Sequence, residues 1–395
     1  MLHNPFLIVC ALIAIEALVL AVSSRKRFKK YFSFLPPVFW IYFLPMLLAT
    51  AGLFDRTSPV FGLISGFILP ASLVLLLLSC DIKAILRLGP AALVMMFAGS
   101  LGIMLGTASV VFFLRGFLGA HAWAGFGSLS ASWIGGSANM IAVKEALAVP
   151  DAVFTPMVVV DTVVPYTWMG ILLALAGMQP LFDRWNKADP AILDQLSCRI
   201  DKTGDQEKRP GGGKRSAKAY VLIAAVALGG MAVSRLFSGM LPEISNVLSR
   251  YAWMIIVVSV IGVCLSFTPL RRLGAQGATS TGYYLLYFVL TSIGARASID
   301  RLAGTMVFIG AGFLIVLVHA AVLLIAGRLI RAPLFLIATA SQANIGGVAS
   351  APVVAASYQP GLASVGLLLA ILGNIIGTYL GIVTGRICFF LTGGG

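Results

Sequence analysis

Two short stretches of this 395-residue chain set uncharged hydrogen-bonding side chains around a glycine pair in otherwise apolar sequence. The first, S-A-S-W-I-G-G-S-A-N-M (Ser130 to Met140), carries Ser132, Gly135, Gly136, Ser137 and Asn139; the second, S-Q-A-N-I-G-G-V-A-S-A (Ser341 to Ala351), carries Gln342, Asn344, Gly346, Gly347 and Ser350. Glycine accepts backbone angles closed to other residues, so each pair suits a turn that leaves amides and carbonyls unspent. Inside a membrane such groups are tolerated where protein or a water-filled cavity satisfies them. These ten residues are therefore the expected substrate-binding set. The competing explanation is that small residues simply let helices pack closely.

A second kind of chemistry is suggested by Asp161, in the apolar run Val158 to Tyr166. A carboxylate buried there costs at least a few kcal/mol unless it is paired, protonated or ion-bound. Asp161 and its neighbour Thr162, with Asn374 and Thr378 in the second half, form the expected ion-coupling group for Na+ or H+. Pro165 frees a backbone carbonyl one turn earlier, near Asp161. Other polar residues have plainer readings. Lys144 and Glu145 are either substrate-facing charges or a rim ion pair; Glu16 lies on a first helix that looks peripheral; His319 reads as a hydrogen-bonded packing residue; Asp81 and Asp300 anchor helix ends.

What must position these residues is an all-α polytopic membrane protein. Hydrophobic residues make up 59% of the chain and charged ones 11%, with a mean hydropathy of +0.99, far from the soluble average. Apolar blocks long enough to cross a bilayer recur from end to end. The net charge of +14 does not point to nucleic acid, because Lys and Arg cluster between the apolar blocks as orientation signals do. No Walker loop, HExxH, GxSxG or clustered Cys and His is present, so neither an enzyme nor a resident cofactor is expected, and no metal beyond a sodium ion. The five cysteines form no CxxC pair and read as reduced packing residues.

The chain also repeats. Ser130 to Ile171 aligns with Ser341 to Ile382 at a constant offset of 211, with identities at both ends, including Thr167-Trp168-Met169-Gly170-Ile171 against Thr378-Tyr379-Leu380-Gly381-Ile382. Six apolar blocks precede the polar stretch 178–218 and six follow it. If the fifth block of each half is a re-entrant hairpin, the cytoplasmic loops hold twenty of the 28 Lys and Arg, as the positive-inside rule requires. Each half then has five spans, an odd number, and the halves are inverted. The expectation is a first membrane repeat over 1–177, a flexible cytoplasmic linker over 178–218 and a second repeat over 219–395. Ten spans, two hairpins and both termini outside follow, in a cell membrane.

The run from Ser132 through Asn139 to Ala146, together with Ala343 to Gly347, Ala355 to Tyr358 and Gly377 to Gly381, resembles the YjcL-like membrane proteins, the family called domain of unknown function 819. Val348-Ala349-Ser350 departs from the family's usual Pro-Ala-Thr after the second glycine pair. The resemblance implies kinship with cation/proton antiporters and anion transporters that use crossing, interrupted helices, a close alternative to hairpins. The functional expectation is a secondary transporter of a small organic solute, coupled to sodium or protons. A sodium/proton antiporter and a non-transporting scaffold or sensor are the alternatives. Expected partners are the solute and the lipid bilayer, with room for a homodimer.

Overall fold

The computed structural model describes residues 2–28, 31–32, 37–197, 217–244, 249–297 and 305–393. Asp300 and the linker stretch 198–216 lie outside the described residues. The principal helices of the first half are α1 (Pro5–Ser23), α2 (Pro37–Thr50), α3 (Val60–Leu78), α4 (Pro90–Leu118), α5 (Ala122–Gly135), α6 (Ser137–Ala146) and α7 (Asp151–Leu175). Those of the second are α8 (Ala217–Met240), α9 (Arg250–Ser266), α10 (Thr279–Gly294), α11 (Thr305–Leu329), α12 (Leu334–Ile345), α13 (Gly347–Tyr358) and α14 (Ala363–Leu391).

The same order of elements thus occurs twice. Proline starts α1, α2 and α4, where its missing N–H costs nothing because first-turn amides have no intrahelical acceptor. A π-helical turn lies within α3 at Ile64–Ile68 and another leads into α10 at Gly274–Ala278. Each half then runs long helix, broken pair, long helix.

Seven helices among the described residues are long and apolar enough to cross a membrane: α1, α3, α4, α7 with the short helix that continues it, α8, α11 and α14. The other three of the ten expected spans are shorter. α2 has 14 residues, α9 has 17 and α10 has 16. α9 and the stretch Pro269–Gly294 reach spanning length only together, with a bend of 92° between them. Pro269 supplies no amide and disfavours helix at the residue before it, and Gly277 at φ +125° breaks the helical path again.

The chain forms two compact units, each built from three segments: 1–79, 148–162 and 215–306 in one, and 80–147, 163–214 and 307–395 in the other. Each unit draws on both halves of the sequence. In the first, α3 packs against α8, α9 and α10, while α10 packs against α1 and α2. The halves exchange an equivalent helix. In the second unit α14 is central, touching α4, α5, α6, α12 and α13.

The α5–α14 contact is made by small residues. An added Cβ at Gly377 would lie 2.8 Å from the Cα of Gly135, and one at Gly127 2.7 Å from the Cα of Gly385; one at Gly381 would overlap Ala131. Gly373, Gly377, Gly381 and Gly385 thus form a four-residue-period stripe against Gly127, Ala131 and Gly135, with the helices antiparallel.

The start of the expected linker is ordered. In the helix Gln179–Asn186, the fully buried Asn186 donates from Nδ2 to the carbonyls of Gly327 (3.2 Å) and Ala332 (2.7 Å). Asp183 Oδ1 accepts from the amide of Leu334 at 2.7 Å, capping the start of α12 as an N-cap side chain does.

Candidate functional site

Both glycine pairs break helices in the second unit, between α5 and α6 and between α12 and α13. Within each pair the two glycines have different physical roles. Gly135 lets a neighbouring backbone approach closely, and Gly346 leaves room for two side chains. A Cβ at Gly135 would overlap Asn139 Nδ2 and the carbonyl of Gly373, and one at Gly346 would overlap Gln342 Nε2 and Ser350 Oγ. Gly136 and Gly347 carry the positive φ, +84° and +63°. Gly136, with ψ 174°, sits in a region that is essentially glycine's alone.

A buried carboxamide lies beside each break. At the first, Asn139 Nδ2 donates to Gly135 O (2.6 Å) and Asn374 O (3.2 Å), and its Oδ1 accepts from Thr378 Oγ1. At the second, Asn344 Nδ2 donates to Ala340 O (2.9 Å) and Met96 O (3.3 Å), and its Oδ1 accepts from Ser100 Oγ at 2.8 Å. Both are buried. The N–H donors of both are spent on holding α6 to α5 and α14, and α12 to α4.

Gln342 Nε2 reaches across the second break to Ser350 Oγ at 2.8 Å. Its Oε1 is buried without a hydrogen-bond partner. Ser132 is buried, and its carbonyl accepts from the amide of Gly136 at 2.5 Å.

The backbone at both breaks is accessible. Gly136, Ser137 and Ala138 are partly exposed between buried Gly135 and Asn139, as are Gly346, Gly347 and Val348 after buried Ile345. No side chain caps the start of α6 or α13. Their first-turn amides form the positive end of a helix dipole and suit an anionic group. Asn374 is half-buried beside the first break, where a Cβ on Gly136 would lie 3.4 Å from its Oδ1.

The expected ion-coupling residues are divided. Asn374 and Thr378 belong to this unit and meet Asn139, whereas Asp161 and Thr162 belong to the first. Asp161 is half-buried on α7 and engaged with a partner. Thr162 is buried, and its hydroxyl donates to Val158 O at 3.0 Å.

Sequence reasoning did not reveal the network around Ser341. His319 on α11 is fully buried. Its Nδ1 lies 2.8 Å from Gly99 O and its Nε2 2.9 Å from Ser341 Oγ, which also accepts from Trp168 Nε1 at 2.8 Å. A carbonyl can only accept, so Nδ1 bears the hydrogen and Nε2 accepts from the serine. The arrangement ties α4, α7, α11 and α12 together. Its one sequence signal is Gly99, Gly102 and Gly106, whose missing side chains let α4 approach α11 at His319 and Ile315. Lys144 is buried on α6, with Nζ 3.1 Å from Glu145 Oε1.

The chain matches the family model described as protein of unknown function (DUF819) over residues 10–390. It is also 25% identical over 355 residues to the uncharacterized membrane protein YjcL of Bacillus subtilis (strain 168), covering 86% of this chain and 87% of that one. With its apolar helices and its paired glycine breaks, the chain belongs to the DUF819 family of multi-pass membrane proteins.

Proposed function

We propose that this protein is a secondary active transporter of a small organic solute, driven by sodium or protons through alternating access. The observation that carries the reading is the pair of uncapped, accessible helix breaks gathered in one compact unit. Discontinuous helices whose ends face a solute are the usual binding device of secondary carriers, and duplicated halves their usual plan. Inverted halves, with both termini outside and 178–218 cytoplasmic, agree with the charge distribution.

Because the carboxamides of Asn139 and Asn344 are engaged within the protein, the solute-binding groups in this reading are the backbone amides after Gly136 and Gly347, with Ser137, Asn374 and the unpaired Oε1 of Gln342. Amides favour a carboxylate, and a carboxamide oxygen favours an N–H donor. Together they suit an organic anion, an amino acid or a peptide-like metabolite. Asp161 is the proposed ion site.

The test is thermal stability of the purified protein across a metabolite panel, with and without sodium, for wild type and Asp161→Asn. A carboxylate solute that raises the melting temperature only with sodium, and loses that dependence in the variant, supports a sodium symporter. A sodium or pH response that needs Asp161 but no solute favours the antiporter. No response to solute, sodium or pH opposes transport.

A further inference from the structure

Glu16 is the single charged residue of α1, and it sits in the helix interior. It is 8% exposed and lies on the buried stripe with Ile8, Leu12, Ile15 and Val19. The first helix is therefore not peripheral at this position, as its sequence suggested. That stripe faces the helices against which α1 packs, α2 and α10.

Neither helix brings a cation. α2 has no acidic or basic side chain, and the hydroxyl of its Tyr42 lies 2.8 Å from Thr155 Oγ1. α10 brings Tyr283, Tyr284 and Tyr287, none of them a cation. Among the described residues, the side chains of Glu16 and Tyr287 make no hydrogen bond or ion pair.

A carboxylate buried in a membrane segment with no cation costs several kcal/mol. It can be neutralised by a metal ion or by a proton. A hard cation requires a cage of oxygens, yet the helical neighbours of Glu16 are Leu12, Ile13, Val19 and Leu20. No group of three or more His, Cys, Asp or Glu that could hold a metal occurs among the described residues.

We propose that Glu16 is a proton-binding carboxyl within the membrane, and that proton binding enters the carrier cycle through it. The carboxylate takes one proton from hydronium: an O–H bond forms on the carboxyl as one breaks in hydronium, which leaves as water. The coupling role rests on the transporter reading above; the proton binding does not.

The experiment is pH-difference infrared spectroscopy of the full-length protein in lipid nanodiscs. The expected result is a protonated-carboxyl C=O band that is lost in Glu16→Gln, displaced in Glu16→Asp and retained in Asp161→Asn. The same band in wild type and Glu16→Gln overturns the proposal, as does its loss in Asp161→Asn alone. Should Glu16→Gln fail to fold, Glu16→Asp decides, because it changes the carboxyl itself, and an unmoved band overturns the assignment. A band lost with Glu16 stands even when no solute stabilises the protein, so the two readings fail separately.

Discussion

Each glycine of a pair meets a different constraint, and substitution separates them. At Gly136 the added Cβ has room, but φ +84° with ψ 174° excludes L residues. Gly136→Ala is expected to cost about 1–3 kcal/mol, and Gly136→Asn to give no relief. At Gly347 an added Cβ meets nothing within 4 Å and only the positive φ matters. Asn tolerates positive φ best among L residues, so Gly347→Asn is expected to be milder than Gly347→Val. Apparent melting temperatures of the four variants check both statements, and equal losses at Gly347 would contradict the second.

At the scale of elements, the glycine stripe of α14 sets how close the broken helix α5 can come. Gly381→Leu drives a side chain into Ala131, where a single Cβ already overlaps. Overpacking of this kind costs about 1–3 kcal/mol. Because α14 also carries Thr378 and the carbonyl of Asn374, moving it loosens the clasp on Asn139. The expected outcome is a lower melting temperature together with faster cysteine labelling of a Ser137→Cys probe at the first break. A melting change without a labelling change would mean that the stripe stabilises α14 without positioning the site.

For the whole molecule, the interleaving of the halves governs assembly. α3 from the first half finds its partners in α8, α9 and α10, and α5 from the first half packs on α12 and α14 from the second. Neither half alone can cover these faces. Cutting the chain within 198–216 and co-expressing the pieces is expected to yield a complex that co-purifies through a tag on one piece. Each piece expressed alone is expected to aggregate in detergent. A soluble, monodisperse half-protein would show that a half folds without its exchanged partner.

The sequence by itself determined the class, the helix positions and the location of the breaks. Apolar blocks of membrane length, prolines at helix starts and glycine pairs are local signals, so helices such as α1, α4 and α14 fall on apolar blocks of the sequence. The repeat at offset 211 places Gly135-Gly136 and Gly346-Gly347 at equivalent breaks for the same reason. Only the tertiary structure decided what the polar side chains do. Asn139 spends its carboxamide on Asn374 and Thr378, and Asn344 on Met96 and Ser100, partners more than two hundred residues away. The same holds for Glu16, whose burial depends on α10, and for Asp161 and Asn374, which the fold assigns to different units. Hydrogen-bond capacity is finite, and which donor meets which acceptor is settled by helix packing rather than by spacing along the chain.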